Sequence, residues 1–125
     1  MNRAMNRSET GAWGEARAAE YLEKEGYRII VRNFRCRMGE IDLIARKGSI
    51  LVFAEVKLRK DASHGEPREF VTASKQQKLR TTAAWYLTGH EWAQELQARF
   101  DVIEIYAPAG TEGTYRIEYL ENAFE

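Results

Sequence analysis

The chain has 125 residues, a length that fits one domain and leaves little room for a second. Hydrophobic residues make up 44% and charged residues 30%, so we expect an ordinary water-soluble fold with one real core. The single cysteine, Cys36, excludes an intrachain disulfide framework and a cysteine-based zinc cluster. No apolar run approaches the ~18 residues of a membrane span, and the first residues lack the apolar segment of a signal peptide. We therefore expect a cytoplasmic protein with no membrane partner.

The net charge is zero, but the charges are unevenly distributed along the chain. Residues 28–80 hold 13 Lys and Arg against 6 Asp and Glu, a net of +7, and the two flanks together hold 6 against 13, a net of −7. A basic central block can bind the phosphates of a nucleic acid. A solvated surface with uneven charge is an equally good interpretation of the same pattern.

Hydrophobic periodicity and turn residues predict an α-β-β-β-α-β order followed by an extra strand. After a loose tail over residues 1–8, a helix capped by Ser8 or Thr10 runs to about Glu25 and ends at Gly26. Strands follow over 27–36, 40–46 and 49–58, then a loop over 61–67. A second helix over 72–88, a helical turn within 91–97, and strands over 99–106 and 115–120 complete the chain.

The second and third strands form a hairpin, for which we predict a two-residue turn at Lys47-Gly48. Because side chains alternate between the faces of a strand, one face is wholly apolar and belongs to the core: Ile41, Leu43, Ala45, Ile50, Val52, Ala54, Val56 and Leu58. The other face carries Ile44, Leu51 and Phe53 near the turn, and Asp42, Glu40, Glu55 and Lys57 at the far end. In this register Asp42 faces Phe53 and is a diagonal neighbour of Glu55, and Glu40 lies directly opposite Glu55.

Two carboxylates at that separation repel each other unless a cation lies between them or one is protonated. Magnesium and manganese prefer oxygen ligands, so two carboxylates can bind such an ion while water completes its coordination shell. Lys57, on the same face, could orient or deprotonate an attacking water or stabilise charge on a phosphate. Glu15, an acid within the apolar stripe of the first helix (Ala12, Ala16, Ala19 and Leu22), could add a carboxylate. A structural salt-bridge cluster is the alternative.

The spacing of Asp42, twelve further residues and Glu55-Val56-Lys57 resembles the PD-(D/E)xK nuclease signature, with Ile41 in place of its proline. Over nearly the whole chain, several segments resemble the YraN-like family of small bacterial proteins, which is grouped with Holliday-junction-resolvase-like and restriction-type nucleases: GAWGEARAAEYLEKEGYRII, RNFRCRMGEIDLIA, LVFAEVKLR, residues 65–75 and RFDVIEI. The resemblance implies an α/β fold of restriction-endonuclease type, a mixed sheet flanked by helices. It also implies that Asp42, Glu55 and the Val56 carbonyl are metal ligands, Lys57 the catalytic lysine and Glu15 the first-helix acid.

We therefore expect one nuclease-like domain over residues 1–125, an endonuclease dependent on Mg²⁺ or Mn²⁺ that acts on DNA rather than RNA, including branched or structured forms. Candidate nucleic-acid contacts, which would position the backbone without reading sequence, are Arg32, Arg35, Arg37, Lys75 and Lys78. A solvated surface is the alternative for each of them. His64, in its loop, could approach a scissile phosphate. Resolvase-like relatives also suggest a homodimer. The rival functions are a non-catalytic nucleic-acid-binding module and a protein-interaction factor that uses the acidic flanks.

Overall fold

The computed structural model describes residues 7–60 and 71–125, which form two α-helices and five strands. In chain order these are α1 (Arg7–Lys24), β1 (Arg28–Cys36), β2 (Gly39–Lys47), β3 (Ile50–Arg59), α2 (Ala73–Thr88), β4 (Gln97–Tyr106) and β5 (Arg116–Phe124). A 3-10 turn at Glu91–Ala93 precedes β4 and another at Gly110–Glu112 precedes β5. The predicted fold class and element order are confirmed. The predicted loop with His64 lies outside the described residues, as do residues 1–6 of the predicted tail. The remaining tail residues, 7 and 8, belong to α1, so both predicted cap positions, Ser8 and Thr10, lie within the helix.

The five strands form one mixed sheet in the order β1-β2-β3-β4-β5. Three strand pairs are antiparallel, and the central pair β3–β4 is parallel. A parallel pair needs a crossover connection, and α2 is the helix between β3 and β4 in the chain. The described helices are not long and apolar enough to cross a membrane.

The sheet is covered by α1 on one face and α2 on the other. Under α1, the core is formed by Ala18, Ala19, Leu22, Tyr27, Leu43, Ala45, Val52, Ala54, Ile103 and Ile105. Under α2, it is formed by Ile41, Ile44, Leu51, Phe53, Val71, Leu79, Ala83, Tyr86, Ala93 and Val102. Ile41 belongs to the α2 side rather than to the predicted core face, and Ala12 is exposed rather than part of the buried stripe of α1.

The β2–β3 hairpin is shifted by two residues from the predicted register. Lys47 pairs with Ile50 and Ile44 with Phe53, so the turn residues are Gly48 and Ser49. Gly48 has φ +60 and is the first of the two, the position that a type II′ hairpin turn reserves for glycine. Because side chains alternate with period two, a two-residue shift keeps Phe53 and Glu55 on the predicted face. Asp42 therefore does not face Phe53, and Glu40 does not face Glu55.

Both helices approach the far end of this hairpin closely. A Cβ atom added at Gly39, the first residue of β2, would lie 2.7 Å from the Thr82 hydroxyl oxygen, so α2 packs tightly against β2 there. A Cβ atom at Gly14 would lie 3.7 Å from the Leu58 Cβ, so α1 crosses the end of β3. Glu15 follows Gly14 directly, and the helix therefore brings this acid to the same end of the sheet.

Candidate functional site

The β2–β3 ladder ends at the pair Leu43–Ala54, and the next residues on the two strands are Asp42 and Glu55. Here a side chain replaces the backbone partner: the Val56 N–H donates to Asp42 Oδ2 at 2.7 Å. The N–H and C=O of one strand residue point toward the same neighbour, so the Val56 carbonyl also lies on the β2 side of β3. Asp42, Glu55 and the Val56 carbonyl, which the resemblance implied as ligands, thus meet at one break in the sheet.

The Asp42 carboxyl group has an unusual affinity for its proton. Burial, followed by repulsion from Glu55, raises the pKa of Asp42 from 3.8 to about 7. The Val56 N–H favours the charged form and opposes this rise, whereas Glu15 and Glu40 add further repulsion. Asp42 and Glu55 therefore lie close enough for repulsion between them to raise the pKa of Asp42, although their strand positions differ from those expected.

Glu55 is affected in the same direction, but it has cations nearby. Burial raises the pKa of Glu55; attraction from Lys75 opposes this, repulsion from Glu40 adds to it, and Lys57 opposes it more weakly than Lys75 does. Lys57 is exposed on the same strand face, two residues beyond Glu55. Lys75 of α2 therefore lowers the pKa of Glu55 more than Lys57 does. The sequence had predicted for Lys75 only a contact to the nucleic-acid backbone.

The donors at this break fit a hard divalent cation. Glu15 of α1 is half-buried, and its charge adds to the rise in the pKa of both Asp42 and Glu55. Its role as a third carboxylate of the site stays a prediction. Across residues 7–60 and 71–125, no group of three or more His, Cys, Asp and Glu side chains has the arrangement of a metal site. Magnesium is often held by only one or two carboxylates, with water and substrate phosphate completing the shell. The two adjacent carboxylates of Asp42 and Glu55 and one backbone carbonyl meet that requirement.

A cleft of about 300 Å³ opens beside Glu55. Its lining includes Gly39 and Glu40 from β2 and Lys75, Lys78 and Leu79 from α2. The first turn of α2 is fixed by Thr72, whose hydroxyl oxygen accepts the Lys75 N–H at 3.3 Å. Lys75 and Lys78 thus line the same cleft as Glu55. From there they can bind a phosphate that also contacts the carboxylate site.

The predicted arginines lie on or beside the edge strand β1 rather than in the cleft. Arg32 and Arg37 are exposed. Arg35 pairs with Glu40 in the β1–β2 register, and its Nε lies 3.1 Å from Glu40 Oε2. Arg35 is thus the one of the three that touches a residue of the cleft lining, and part of its charge is compensated there.

Sequence reasoning missed a buried ion pair close to Lys57. Arg59 Nη1 lies 3.2 Å from Glu104 Oε2, and the two side chains are only 6% and 2% exposed. Glu104 pairs with Lys57 in the β3–β4 register. The sequence did contain an indication of this pair, because Glu104 is a charged residue within the apolar run Val102–Ile105. Glu55 likewise follows an apolar run on its strand.

Fold and site together describe an α/β domain with two adjacent carboxylates where the pairing between β2 and β3 ends. Residues 14–105 match the family described as "Uncharacterised protein family UPF0102". A UPF0102 protein of Caldicellulosiruptor saccharolyticus is 42% identical over 120 residues, which cover 96% of this chain and 100% of that protein. One from Symbiobacterium thermophilum is 47% identical over 114 residues (91% and 94%), and one from Geobacter sulfurreducens 48% over 115 residues (92% and 88%). The chain belongs to the UPF0102 family, and the predicted family membership is confirmed.

Proposed function

We propose that the protein is an endonuclease of the PD-(D/E)xK class that depends on Mg²⁺ or Mn²⁺ and hydrolyses phosphodiester bonds in DNA. The observation that carries the proposal is the placement of Asp42 and Glu55 next to each other where the β2–β3 ladder ends, with the Val56 N–H donating to Asp42 Oδ2 at 2.7 Å. Placing two half-buried acids so that they repel each other costs stability, and a divalent cation between them would remove that cost.

The residues around the carboxylates have distinct roles in this proposal. A divalent ion bound there would polarise the scissile phosphate and lower the pKa of a bound water. Lys57 orients the attacking water or stabilises the charge that develops on the phosphate oxygens. Lys75 and Lys78 hold the phosphate backbone along the cleft, and Glu15 supports the site from α1.

A plasmid-nicking assay tests this proposal. Purified protein with MnCl₂ should convert supercoiled plasmid to the open circular form, and EDTA should prevent it. Glu55→Ala and Lys57→Ala should each lower the rate by at least about 100-fold, while circular dichroism shows that the variants remain folded. Glu118→Ala is the matched control, because Glu118 is half-exposed on β5 and paired only loosely with Arg116. Nicking that survives both site substitutions would exclude this mechanism.

The resemblance to resolvase-like nucleases supports branched or structured DNA as the substrate and a homodimer as the working form. A four-way junction, a plain duplex and a single strand of matched sequence should be cleaved at different rates, with the junction fastest. Sedimentation with and without the junction tests the dimer. The cytoplasmic location stays a prediction.

A non-catalytic nucleic-acid-binding module is the second candidate, favoured by the two lysines that line the open cleft. It predicts DNA binding that weakens steeply with salt and is indifferent to magnesium and to Asp42→Ala. The nuclease proposal predicts instead that Ca²⁺ or Mg²⁺ strengthens binding and that Asp42→Ala removes this dependence. Filter binding at fixed ionic strength distinguishes the two.

A further inference from the structure

Four large apolar side chains are exposed in the part of the chain that the structure describes: Met38, Trp85, Trp92 and Tyr115. Two of the three rings have aromatic or cationic neighbours. Tyr115 meets Trp13 edge to face, with ring centroids 5.4 Å apart, and the Arg46 guanidinium lies 5.9 Å from the centroid of Trp92. Trp85 is 45% exposed and makes no ring contact of either kind with another residue of 7–60 or 71–125. Its indole is thus available to a ligand.

Trp85 is aligned along α2 with a lysine of the cleft. Lys78 and Trp85 are seven residues apart, which at about 3.6 residues per turn puts them on nearly the same side of the helix and about 10 Å apart along its axis. Thr82, between them, is buried, and a Cβ atom at Gly39 would lie 2.7 Å from its hydroxyl oxygen. This side of α2 therefore borders the start of β2, next to the cleft that Lys78 lines.

The turn between β1 and β2 adds to the same border. Met38 directly precedes Gly39, and the exposed Arg37 precedes Met38. We call this surface the α2–β2 border; it consists of Arg37, Met38, Lys75, Lys78 and Trp85. It combines two apolar side chains with three cations. That combination is complementary to a polyanion that carries aromatic bases, whereas two copies of the border would repel each other through their cations.

A base can stack on an exposed indole only if it has left the double helix. In a duplex each base is covered by its stacked neighbours, and only the base edges are accessible in the grooves. Proteins that bind single-stranded DNA combine a positively charged groove for the backbone with aromatic side chains on which bases stack. One strand rises about 3.4 Å per nucleotide in stacked DNA, so the roughly 10 Å between Lys78 and Trp85 corresponds to about three nucleotides.

We propose that Trp85 is a stacking platform for an unpaired base, and that the DNA bound here carries a single-stranded segment next to the phosphate in the cleft. Lys75 and Lys78 hold that phosphate, and the strand leaves the cleft along the α2–β2 border. The inference deepens the proposed function by naming the substrate class, and it rests on that function for the cleavage results. Stacking itself needs neither metal nor catalysis and can be measured in EDTA.

The test compares the affinity for a short blunt duplex with that for the same duplex carrying a single-stranded thymine extension, in EDTA at low salt. The unmodified protein should bind the extended duplex more tightly. Trp85→Leu should weaken that binding by about 5- to 100-fold, the range expected for loss of one base–aromatic stack, and should leave the blunt duplex nearly unaffected. Trp85→Phe keeps an aromatic ring and should retain most of the affinity. Equal affinity of the unmodified protein for the two DNAs overturns the inference.

Trp92→Leu is the matched control, because Trp92 is exposed to a similar degree, 43%, but lies on the turn after α2 beside Arg46. It should bind both DNAs as the unmodified protein does. An equal loss of affinity in Trp92→Leu and Trp85→Leu would contradict a stack on Trp85.

Indole fluorescence gives the direct readout, since a stacked base quenches it. The extended duplex should quench the fluorescence of the unmodified protein and of Trp92→Phe, and the quenching should be lost in Trp85→Phe, which still binds. Quenching that persists in Trp85→Phe overturns the inference.

Sedimentation without DNA tests the rival occupant, a second copy of this chain. If Trp85→Leu dissociates a dimer and leaves both DNA affinities unchanged, the border is a subunit interface and the inference is overturned.

Cleavage separates this inference from the proposed function. If the unmodified protein cuts no DNA while Trp85→Leu loses the preference for the extended duplex in binding, stacking is supported and the nuclease proposal fails. If the unmodified protein and Trp85→Leu cut the blunt and the extended duplex at equal rates, the nuclease proposal stands and the inference fails.

Discussion

Two aspartates of the same sheet, the buried Asp101 on β4 and the half-buried Asp42 on β2, have opposite electrostatic surroundings. Asp101 receives a bidentate Arg99, with Nε to Oδ1 at 2.9 Å and Nη2 to Oδ2 at 2.8 Å. The Tyr119 hydroxyl donates to its Oδ2, and the Asn122 N–H donates to Oδ1 at 2.9 Å. The chain adopts an unusual conformation at Asn122, with φ +51, at the point where this hydrogen bond is made.

Asp42 has far less support for its charge. It accepts the Val56 N–H, but the charged groups that change its pKa most are acids: Glu55, Glu15 and Glu40. The comparison shows that this fold can fully satisfy a buried carboxylate and does so at Asp101. The acids at Asp42 and Glu55 are thus arranged for something other than stability.

The Asp101 cluster also changes the acid–base properties of its partners. Hydrogen bonding to Asp101 raises the pKa of Arg99 above its already high value. Burial, followed by the hydrogen bond to Asp101, raises the pKa of Tyr119. Both groups therefore keep their protons throughout the physiological range, and the cluster is electrostatically fixed.

Removal of the Asp101 carboxylate should have the largest effect on stability. Asp101→Ala leaves the largely buried Arg99 without its main partner, a change that typically costs about 3–5 kcal/mol. Urea unfolding at pH 7 measures it. Glu118→Ala should stay within about 0.5 kcal/mol, as exposed substitutions do. If Asp101→Ala lowered the free energy of unfolding by less than about 1 kcal/mol, Asp101 would not be the stabilising carboxylate that its contacts indicate.

Asp42→Asn should stabilise the protein, in contrast to Asp101→Ala, and the gain in the free energy of unfolding should depend on pH. The folded protein holds the Asp42 proton up to about pH 7, whereas the unfolded chain releases it near 3.8. Stability of the unmodified protein therefore falls as pH rises through this window, by up to about 4 kcal/mol for this group. Asparagine does not ionise, so the variant should be more stable at pH 8 and equal near pH 4. Unfolding curves at both pH values check this, and a variant less stable at pH 8 would contradict it.

A divalent ion should offset the repulsion at the carboxylate site. At one hundred times its dissociation constant, Mn²⁺ should stabilise the folded protein by about 2.7 kcal/mol at pH 8. The affinity should fall as pH drops below about 7, because Asp42 then takes up the proton with which the metal competes. Thermal shift with Mn²⁺ at pH 8 and pH 6 measures this, and Asp42→Asn should lose the stabilisation. An equal shift in Asp101→Asn and Asp42→Asn would indicate binding elsewhere.

The smallest effect concerns the lysines of the cleft. Lys75 is the cation that most lowers the pKa of Glu55, so Lys75→Met should raise that pKa further and destabilise the protein at pH 8, by less than about 1 kcal/mol because the lysine is exposed. Lys78→Met is the matched control, since Lys78 lines the same cleft but is not among the main groups that change the pKa of Glu55. Equal effects of the two substitutions would show that Lys75 has no special relation to Glu55.

The sequence was sufficient for the elements and for the face on which Glu55 lies, because both depend on local periodicity. It failed on the hairpin register, since the turn was placed with glycine second rather than first, and a two-residue shift leaves the alternation unchanged. That error placed Asp42 opposite Phe53. In the structure Asp42 follows the last pair of the β2–β3 ladder, and Glu55 is the corresponding next residue on β3. The apolar side chains near the turn still correctly indicated a covered face.

The contacts of Asp101 and Glu104 could not be read from the sequence. Each depends on pairing between strands that are far apart in the chain: Glu104 meets Arg59 across the parallel β3–β4 pair, and Asp101 meets Asn122 across β4–β5. The ion pair between Arg99 and Asp101 is the local exception, because the two residues are only two positions apart on β4. The charged residues within the apolar β4 indicated that partners must exist. Which residues these partners are could be told only once the order of the strands in the sheet was known.

The most direct test of the carboxylate site is the anomalous difference density of a crystal soaked in MnCl₂ at pH 8. We predict one strong peak within about 2.2 Å of a carboxylate oxygen of both Asp42 and Glu55 and near the Val56 carbonyl, absent from Asp42→Asn crystals. A map without density between these two acids at saturating manganese would contradict the metal site and, with it, the proposed nuclease.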